Sequence, residues 1–324
     1  MTQRIAVLGA GAFGTALAIT LAAGGQRVSL WGRDAAAMAE MAGAGENARH
    51  LPGCAFPEGL SATADLTYAA AAPMVLLAVP TQALRGLLES LPENRSAQAG
   101  QILVLCCKGI ERGTGLLPAD VVQELRPGAR TAILTGPSFA AELAAGLPTA
   151  VTLATTDPAG AALQESLASP ALRPYLSDDP VGAQFGGALK NVVAIAAGIS
   201  DGAGMGDSAR AALITRGFAE IARHAEELGA RRETLFGLSG LGDLILTCTS
   251  DKSRNYRHGR AIGAGQTTAQ GVTVEGVATA AALSDLLPDA DLPVTHCVAA
   301  VVSGRLDVQG AVDLLMSRPL KREG

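Results

Sequence analysis

The spacing of hydrophobic positions along this chain changes near residue 180. Before it, short apolar runs recur between glycine-rich or charged breaks, at Arg4–Leu8, Arg27–Trp31, 74–79, 102–107, 131–135, 151–155 and 173–177. Runs of about four to eight residues bounded by turn formers read as buried strands. Helical or loop stretches separate them, and such alternation predicts a mostly parallel sheet wound on both faces. Beyond the polar turn Ser177-Asp178-Asp179-Pro180 the strand pattern stops. Residues 209–228 carry Ile214, Phe218, Ile221, Ala225 and Leu228 at alternating steps of four and three, with Arg216, Glu220, Arg223 and Glu227 off that stripe. This is an amphipathic helix with a solvated charged face. Residues 236–249 form a glycine-rich approach to Asp243 followed by an apolar turn, while 274–287 and 294–316 read as helices broken by Pro288 and Pro293. The expectation is an α/β domain over 1–179 and an all-α domain over 180–324.

One helical stretch departs from the amphipathic rule. From 181 to 200 the only ionisable side chain is Lys190, with Leu189, Val192, Val193, Ile195 and Ile199 distributed around every side. A helix apolar all round belongs in an interior, where a lysine charge is costly unless paired or shifted in pKa. Two readings are open. Lys190 either snorkels to the helix end, where Gly186-Gly187 loosens the backbone, or is a catalytic amine with a depressed pKa.

The first two strand runs enclose Gly9-Ala10-Gly11-Ala12-Phe13-Gly14 and a small-residue helix over 15–23. Strand, G-x-G-x-x-G turn, helix, strand is the order that gives this motif its meaning as a dinucleotide-binding fingerprint, and it makes the first domain Rossmann-like. Gly9 permits the tight turn, Gly11 admits a pyrophosphate and Gly14 lets the helix pack closely. The helix N-terminus offers free N–H groups to the phosphates. The uncharged run 5–26 also resembles a signal peptide or membrane helix, but its glycines at 9, 11, 14, 24 and 25 make it a poor span and the fingerprint explains it better.

Composition narrows the class. The 324 residues are 48% hydrophobic and 17% charged, enough apolar content for two sizeable cores. The net charge is −5, the 25 basic residues form no run, and aromatics are few, which argues against a nucleic-acid partner. Cys54, Cys106, Cys107, Cys248 and Cys297 form no CxxC pair. Their odd number fits a reducing, cytoplasmic compartment, and neither they nor the four histidines suggest a metal site.

Ligands of doubly wound sheets bind beyond the carboxyl ends of strands. Run 102–107 leads into Lys108-Gly109, and 131–135 leads into Gly136-Pro137-Ser138. A lysine and such a turn on one sheet rim suit an anionic substrate. Taken singly, each is equally well a solvated strand end or a simple turn.

Together the segments GAGAFGTALA (9–18), NARHLPG (47–53), CCKGIE (106–111), GPSFAAELAAGLPTA (136–150), GGALKNVVAIAAGISDG (186–202), ALITRG (212–217), GLSGLGDLILTCTSDKSRN (237–255) and VEG (274–276) resemble NAD(P)-dependent sn-glycerol-3-phosphate dehydrogenases of the bacterial soluble type. The likeness covers nearly the whole chain. It implies a two-domain enzyme, with a possible homodimeric state, interconverting sn-glycerol 3-phosphate and dihydroxyacetone phosphate and supplying phospholipid synthesis. It further implies Lys190 as proton acceptor and Lys108, Gly136, Ser138, Asp243, Ser253, Arg254 and Asn255 as substrate ligands, with Lys108 and Arg254 also near the cofactor. Ala12, Phe13, Arg33, Ala140 and Glu275 would line the cofactor beside Gly9, Gly11 and Gly14. The chain departs from the family pattern at Ala12, where a serine is usual, at His50, where a tyrosine is frequent, and in the short stretch 260–274.

The resemblance makes chemical sense. Hydride leaves a carbinol carbon only as the hydroxyl proton is removed, and a lysine amine serves as that base when apolar walls lower its pKa. The planar Arg254 fork suits a phosphate. Two other readings stay open: a related two-domain 3-hydroxy acid dehydrogenase, and a non-catalytic dinucleotide sensor. The cofactor expectation is NADP(H) preferred with NAD(H) accepted. The second strand ends without a carboxylate, and Arg33 is the first charge beyond it, suited to a 2′-phosphate. Asp34 reads as a helix cap, with ribose binding as its alternative.

Overall fold

The computed structural model describes residues 4–92, 100–267 and 274–319. The outer ends of the two sequence-expected domains, 1–3 and 320–324, lie outside the described residues. Strand β1 (Arg4–Leu8) leads through the glycine turn into α1 (Ala12–Ala23) and returns as β2 (Arg27–Trp31). Then follow α2 (Ala35–Ala44), β3 (Leu60–Thr63), α3 (Leu66–Ala70), β4 (Met74–Leu77), α4 (Thr81–Ser90), β5 (Ile102–Leu105), α5 (Pro118–Leu125) and β6 (Arg130–Thr135). Helix α6 (Ala140–Ala144), β7 (Thr149–Ala154), α7 (Gly160–Leu167) and β8 (Leu172–Ser177) complete the sheet, whose strand order is β3-β2-β1-β4-β5-β6-β7-β8. All neighbours are parallel except β6 and β7.

The doubly wound arrangement follows from alternation along single strands. Ile5 and Val7 of β1 face a core shared with α1, and Ala6 and Leu8 face a second core with Leu84, Leu88, Val121 and Val122 of α4 and α5. Helix α1 starts three residues earlier than its small-residue run suggested, since Gly11 already takes the cap position. Strand β3 was not expected. Its sequence Leu-Ser-Ala-Thr lies at the sheet edge with no residue fully buried, so it carries little hydrophobic signal.

Past β8 the described chain is helical: α8 (Pro180–Gly202), α9 (Asp207–Glu227), α10 (Arg232–Leu235), a π-turn (Leu238–Gly242), α11 (Asp243–Cys248), α12 (Arg254–Gly263), α13 (Glu275–Leu286), α14 (Pro293–Val302) and α15 (Val308–Met316). Helix α8 is the axis, buried from Gly182 to Ser200. Leu189, Val193 and Ala197 join one core with Phe218 and Ile221 of α9, and Val192, Ile195 and Ile199 join another with Ala280, Val294 and Val298. The run 294–316 is two helices rather than one. Gly304, at φ 72°, ends α14, and the Asp307 carboxylate caps α15 by accepting from the Gly310 N–H at 2.7 Å.

Helices α8 and α12 cross almost backbone to backbone. A Cβ on Gly198 or Gly202 would stand 2.1 Å from the Tyr256 or Arg260 carbonyl oxygen, and one on Gly259 or Gly263 would stand 2.1 or 2.2 Å from that of Ile195 or Ile199. Only glycines permit this approach. It fixes the N-terminus of α12, with Arg254 and Asn255, beside the stretch of α8 that carries Lys190 and Asn191. Among the described residues no helix is long and apolar enough to cross a membrane.

Candidate active site

The carboxyl ends of β5 and β6 face the middle of α8. Lys108 follows β5, and its side chain runs inward to the helical half. Its ammonium donates to the Gly136 carbonyl at 3.2 Å and lies 2.8 Å from Asp243 Oδ2. Gly136 takes φ 148°, a value open to glycine, because a Cβ there would be 2.9 Å from Val151 Cα. Its carbonyl also accepts from Ser138 Oγ at 3.1 Å.

Lys190 does not snorkel. It is 7% exposed, and its Nζ sits 2.5 Å from Asp243 Oδ1 while donating to Thr247 Oγ1 at 3.0 Å. Asp243, 1% exposed, opens α11, and Thr247 one turn later donates its own hydroxyl proton to the Asp243 carbonyl at 2.6 Å. One buried carboxylate therefore bridges two ammonium groups. Burial pushes the Lys190 ammonium down, Asp243 pulls it back up and the Lys108 charge pushes it down again, leaving a pKa of about 8. An amine so poised can take or give a proton near neutral pH.

The SRN turn divides its side chains among different tasks. Ser253 Oγ caps α12, accepting from the Tyr256 N–H at 3.2 Å. Asn255 donates to Asn191 Oδ1 at 2.8 Å and accepts from the Gly276 N–H at 3.0 Å, tying α8, α12 and α13 together. Arg254 is exposed between them; burial holds the His50 imidazole below its ordinary pKa, and the charges of Arg49 and Arg254 add to that. At the start of α13, burial pushes the Glu275 carboxyl up, against the opposing charges of Arg254, Lys108 and Lys190. Residues 268–273, within the short stretch noted before Glu275, lie outside the described residues.

The glycine turn has the shape of a phosphate cradle. A Cβ on Gly9 would meet the Ala78 carbonyl oxygen at 2.5 Å, and one on Gly14 would meet that of Gly9 at 2.0 Å. Around Gly11, by contrast, nothing stands within 4 Å of that position. Gly11 caps α1 without a side chain, and the first turn holds no acidic residue, so the N–H groups there are open to an anion. These residues fit a dinucleotide. Phe13 on the same turn lies 5.9 Å from Lys108 Nζ, measured to its ring centre, which brings the cradle next to the lysine pair. Ala140 opens α6 beside the α1 core. Arg33 is exposed two residues past β2, and Asp34 Oδ1 caps α2 by accepting from Ala36 and Ala37 N–H, both at 3.1 Å. Among the described residues no three His, Cys, Asp or Glu side chains are grouped to hold a metal.

Three polar residues of this region were not singled out from the sequence. Thr247 had a legible signal, standing one helical turn past Asp243 on the same face. Asn191 is simply the neighbour of Lys190. Asn47, wholly buried, donates to the Ala10 carbonyl at 2.9 Å and to Thr15 Oγ1 at 2.7 Å, bracing the glycine turn from behind. It opens the NARHLPG segment that carries part of the resemblance, but its residue type alone did not mark it as a brace for the glycine turn.

Comparison with known proteins matches residues 4–161 to the N-terminal and 179–313 to the C-terminal family model of NAD-dependent glycerol-3-phosphate dehydrogenase. The chain is 54% identical to glycerol-3-phosphate dehydrogenase [NAD(P)+] of Cereibacter sphaeroides, over 98% of this chain and 100% of that one. It is 51% identical to the enzyme of the same name from Roseobacter denitrificans, over 98% and 99%. Its fold superposes on the crystal structure of glycerol-3-phosphate dehydrogenase from Coxiella burnetii with TM-score 0.91 at 39% identity, covering 98% and 99% of the two chains.

Proposed function

The chain belongs to the NAD-dependent glycerol-3-phosphate dehydrogenase family, and from that membership we propose that it interconverts sn-glycerol 3-phosphate and dihydroxyacetone phosphate with NAD(P)(H). The observation that carries this reading is the buried Asp243 carboxylate shared by Lys190 and Lys108 at the mouth of a dinucleotide cradle. The nicotinamide cofactor, when bound, accepts or supplies the hydride. In the oxidative direction the neutral Lys190 amine takes the proton of the substrate's C2 hydroxyl. In the reductive direction its ammonium donates that proton and stabilises the developing alkoxide. Thr247 and Asp243 orient the amine, and Lys108 holds the substrate on the side of Gly136 and Ser138. Arg254 grips the phosphate through paired N–H donors, with Ser253 and Asn255 shaping the turn that presents it.

Gly9, Gly11, Ala12, Phe13 and Gly14 hold the pyrophosphate, with Ala140 and Glu275 further along the cofactor. Arg33 reads the 2′-phosphate, so NADPH is preferred and NADH accepted. The division between the two domains falls at 179/180, the enzyme acts in the cytoplasm, and it feeds phospholipid synthesis. Relatives about half identical over their full length do not favour the readings as a 3-hydroxy acid dehydrogenase or a dinucleotide sensor. The test is spectrophotometric. Dihydroxyacetone phosphate should drive oxidation of NADPH and, less efficiently, NADH, whereas a 3-oxo acid should not. Turnover with the oxo acid alone, or cofactor binding without turnover on either, would overturn the reading.

A further inference from the structure

Two turns assigned to the substrate come from opposite halves of the molecule. Gly136-Pro137-Ser138 leads from the sheet into α6, and Ser253-Arg254-Asn255 opens α12. The side chains that join them at the rim are not themselves among the assigned ligands. Glu142, in the first turn of α6, receives Lys252, the residue just before Ser253, with Nζ 2.5 Å from Oε1. The same ammonium lies 6.0 Å from the centre of the Phe139 ring, so it is seated on α6 by two contacts.

Each partner is also anchored on its own side. Leu143, next to Glu142, is 1% exposed, and its carbonyl accepts from Thr20 Oγ1 of α1 at 3.1 Å. The Lys252 N–H donates to Ser250 Oγ at 3.2 Å, and Asp251 Oδ1 pairs with Arg260 of α12 at 2.8 Å. The pair thus connects a helix braced against the cofactor cradle with a turn braced against α12. We propose that Glu142 and Lys252 are positioning residues that set the spacing between the Ser138 and Arg254 turns and thereby the grip on the substrate phosphate. They take no part in proton or hydride transfer. This rests on the assignment of Ser138 and Arg254 to the substrate.

Because the pair is exposed, it contributes little to the stability of the whole chain, and its effect falls on the local approach of the two turns. A bare field effect makes the opposite demand. Removing the Glu142 charge beside a site for a dianion would, by Coulomb attraction alone, tighten substrate binding. Loss of positioning loosens it.

The experiment measures kcat, KM for dihydroxyacetone phosphate, KM for NADPH and the unfolding midpoint of the wild type, Glu142→Gln, Lys252→Gln, the charge-reversed double variant Glu142→Lys/Lys252→Glu, and Arg254→Ala. At low salt Glu142→Gln should raise the substrate KM about two- to five-fold, the scale of an exposed ion pair, with kcat, cofactor KM and unfolding midpoint unchanged. The reversed pair should return KM toward the wild-type value. At about 1 M salt, where screening acts within about 3 Å, wild type and Glu142→Gln should converge. Arg254→Ala should raise KM much further. A Glu142→Gln variant with unchanged or lowered KM, beside an Arg254→Ala variant with raised KM, would overturn the role of the pair alone. An unchanged KM in Arg254→Ala would overturn the substrate assignment, and the role of the pair with it.

Discussion

Lys190 Nζ stands 2.5 Å from Asp243 Oδ1, with both side chains buried and on different helices. The carboxylate is what keeps a lysine in an apolar helix within titrating range rather than far below it. Without Asp243, burial and the Lys108 charge would act on Lys190 unopposed.

The pH dependence follows from that balance. With the amine as the proposed base in oxidation, kcat/KM for sn-glycerol 3-phosphate should rise with pH and level off above about 8, while kcat/KM for reduction should fall above the same value. Stability has a matching sign. The folded pKa of about 8 lies below the ordinary 10.5, so between the two the unfolded chain binds more protons, and this contribution to stability grows as pH rises through that window. Initial rates in both directions from pH 6 to 10 check the first claim, and a profile flat through pH 8 would contradict it.

Asp243→Asn removes the attraction that raises the Lys190 pKa and leaves the repulsion from Lys108 in place. The apparent pKa in the oxidation profile should therefore move down from about 8, and the pH-independent rate should fall as the two lysines lose their shared anchor. The pH profile of the purified variant tests this. An upward shift would mean that Asp243 does not act on Lys190.

The α8–α12 crossing should be intolerant of even one methyl group. Gly198→Ala puts a Cβ 2.1 Å from the Tyr256 carbonyl oxygen and should cost about 1–3 kcal/mol by urea unfolding, as overpacked cores do. It should also lower activity, because the same crossing sets Arg254 and Asn255 beside Lys190 and Asn191. Gly43→Ala, in an exposed helical position with nothing within 4 Å, is the control and should be neutral or mildly stabilising.

These positions also show where sequence reasoning reached and where it stopped. The isolation of Lys190 in an uncharged helix was visible from residue types alone, as was the glycine turn, because each violates or satisfies a local rule. That Lys108 and Lys190 share Asp243 was not visible, since the pairing is made by the packing of α11 against α8 and the sheet. The role of Gly198, Gly202, Gly259 and Gly263 was hidden for the same reason: a helical glycine signals close approach only once its partner is known. Strand β3 escaped because an edge strand of small and polar residues has no hydrophobic period. The ties that the Asn255 amide makes to Asn191 and Gly276 form a network no spacing rule anticipates.

On the proposal above, cofactor choice turns on Arg33, the exposed residue beside Asp34, whose Oδ1 caps α2. Arg33→Ala should weaken NADPH by about 1–3 kcal/mol, the scale of a hydrogen bond to a charged group, and leave NADH nearly unchanged. Titration of both cofactors into wild type and variant decides. Equal weakening of the two, or tighter NADH binding by the wild type, would assign the ribose to Asp34.

The central claim is that Lys190 handles the substrate proton, and Lys190→Met tests it most directly. Lys108 remains at 2.8 Å to neutralise Asp243, so the variant should fold and bind NADPH as the wild type does. Its turnover with dihydroxyacetone phosphate at saturation should fall by about 10²–10⁴-fold, the range for loss of a general acid–base. Turnover equal to wild type in a folded, cofactor-binding Lys190→Met protein would contradict the account.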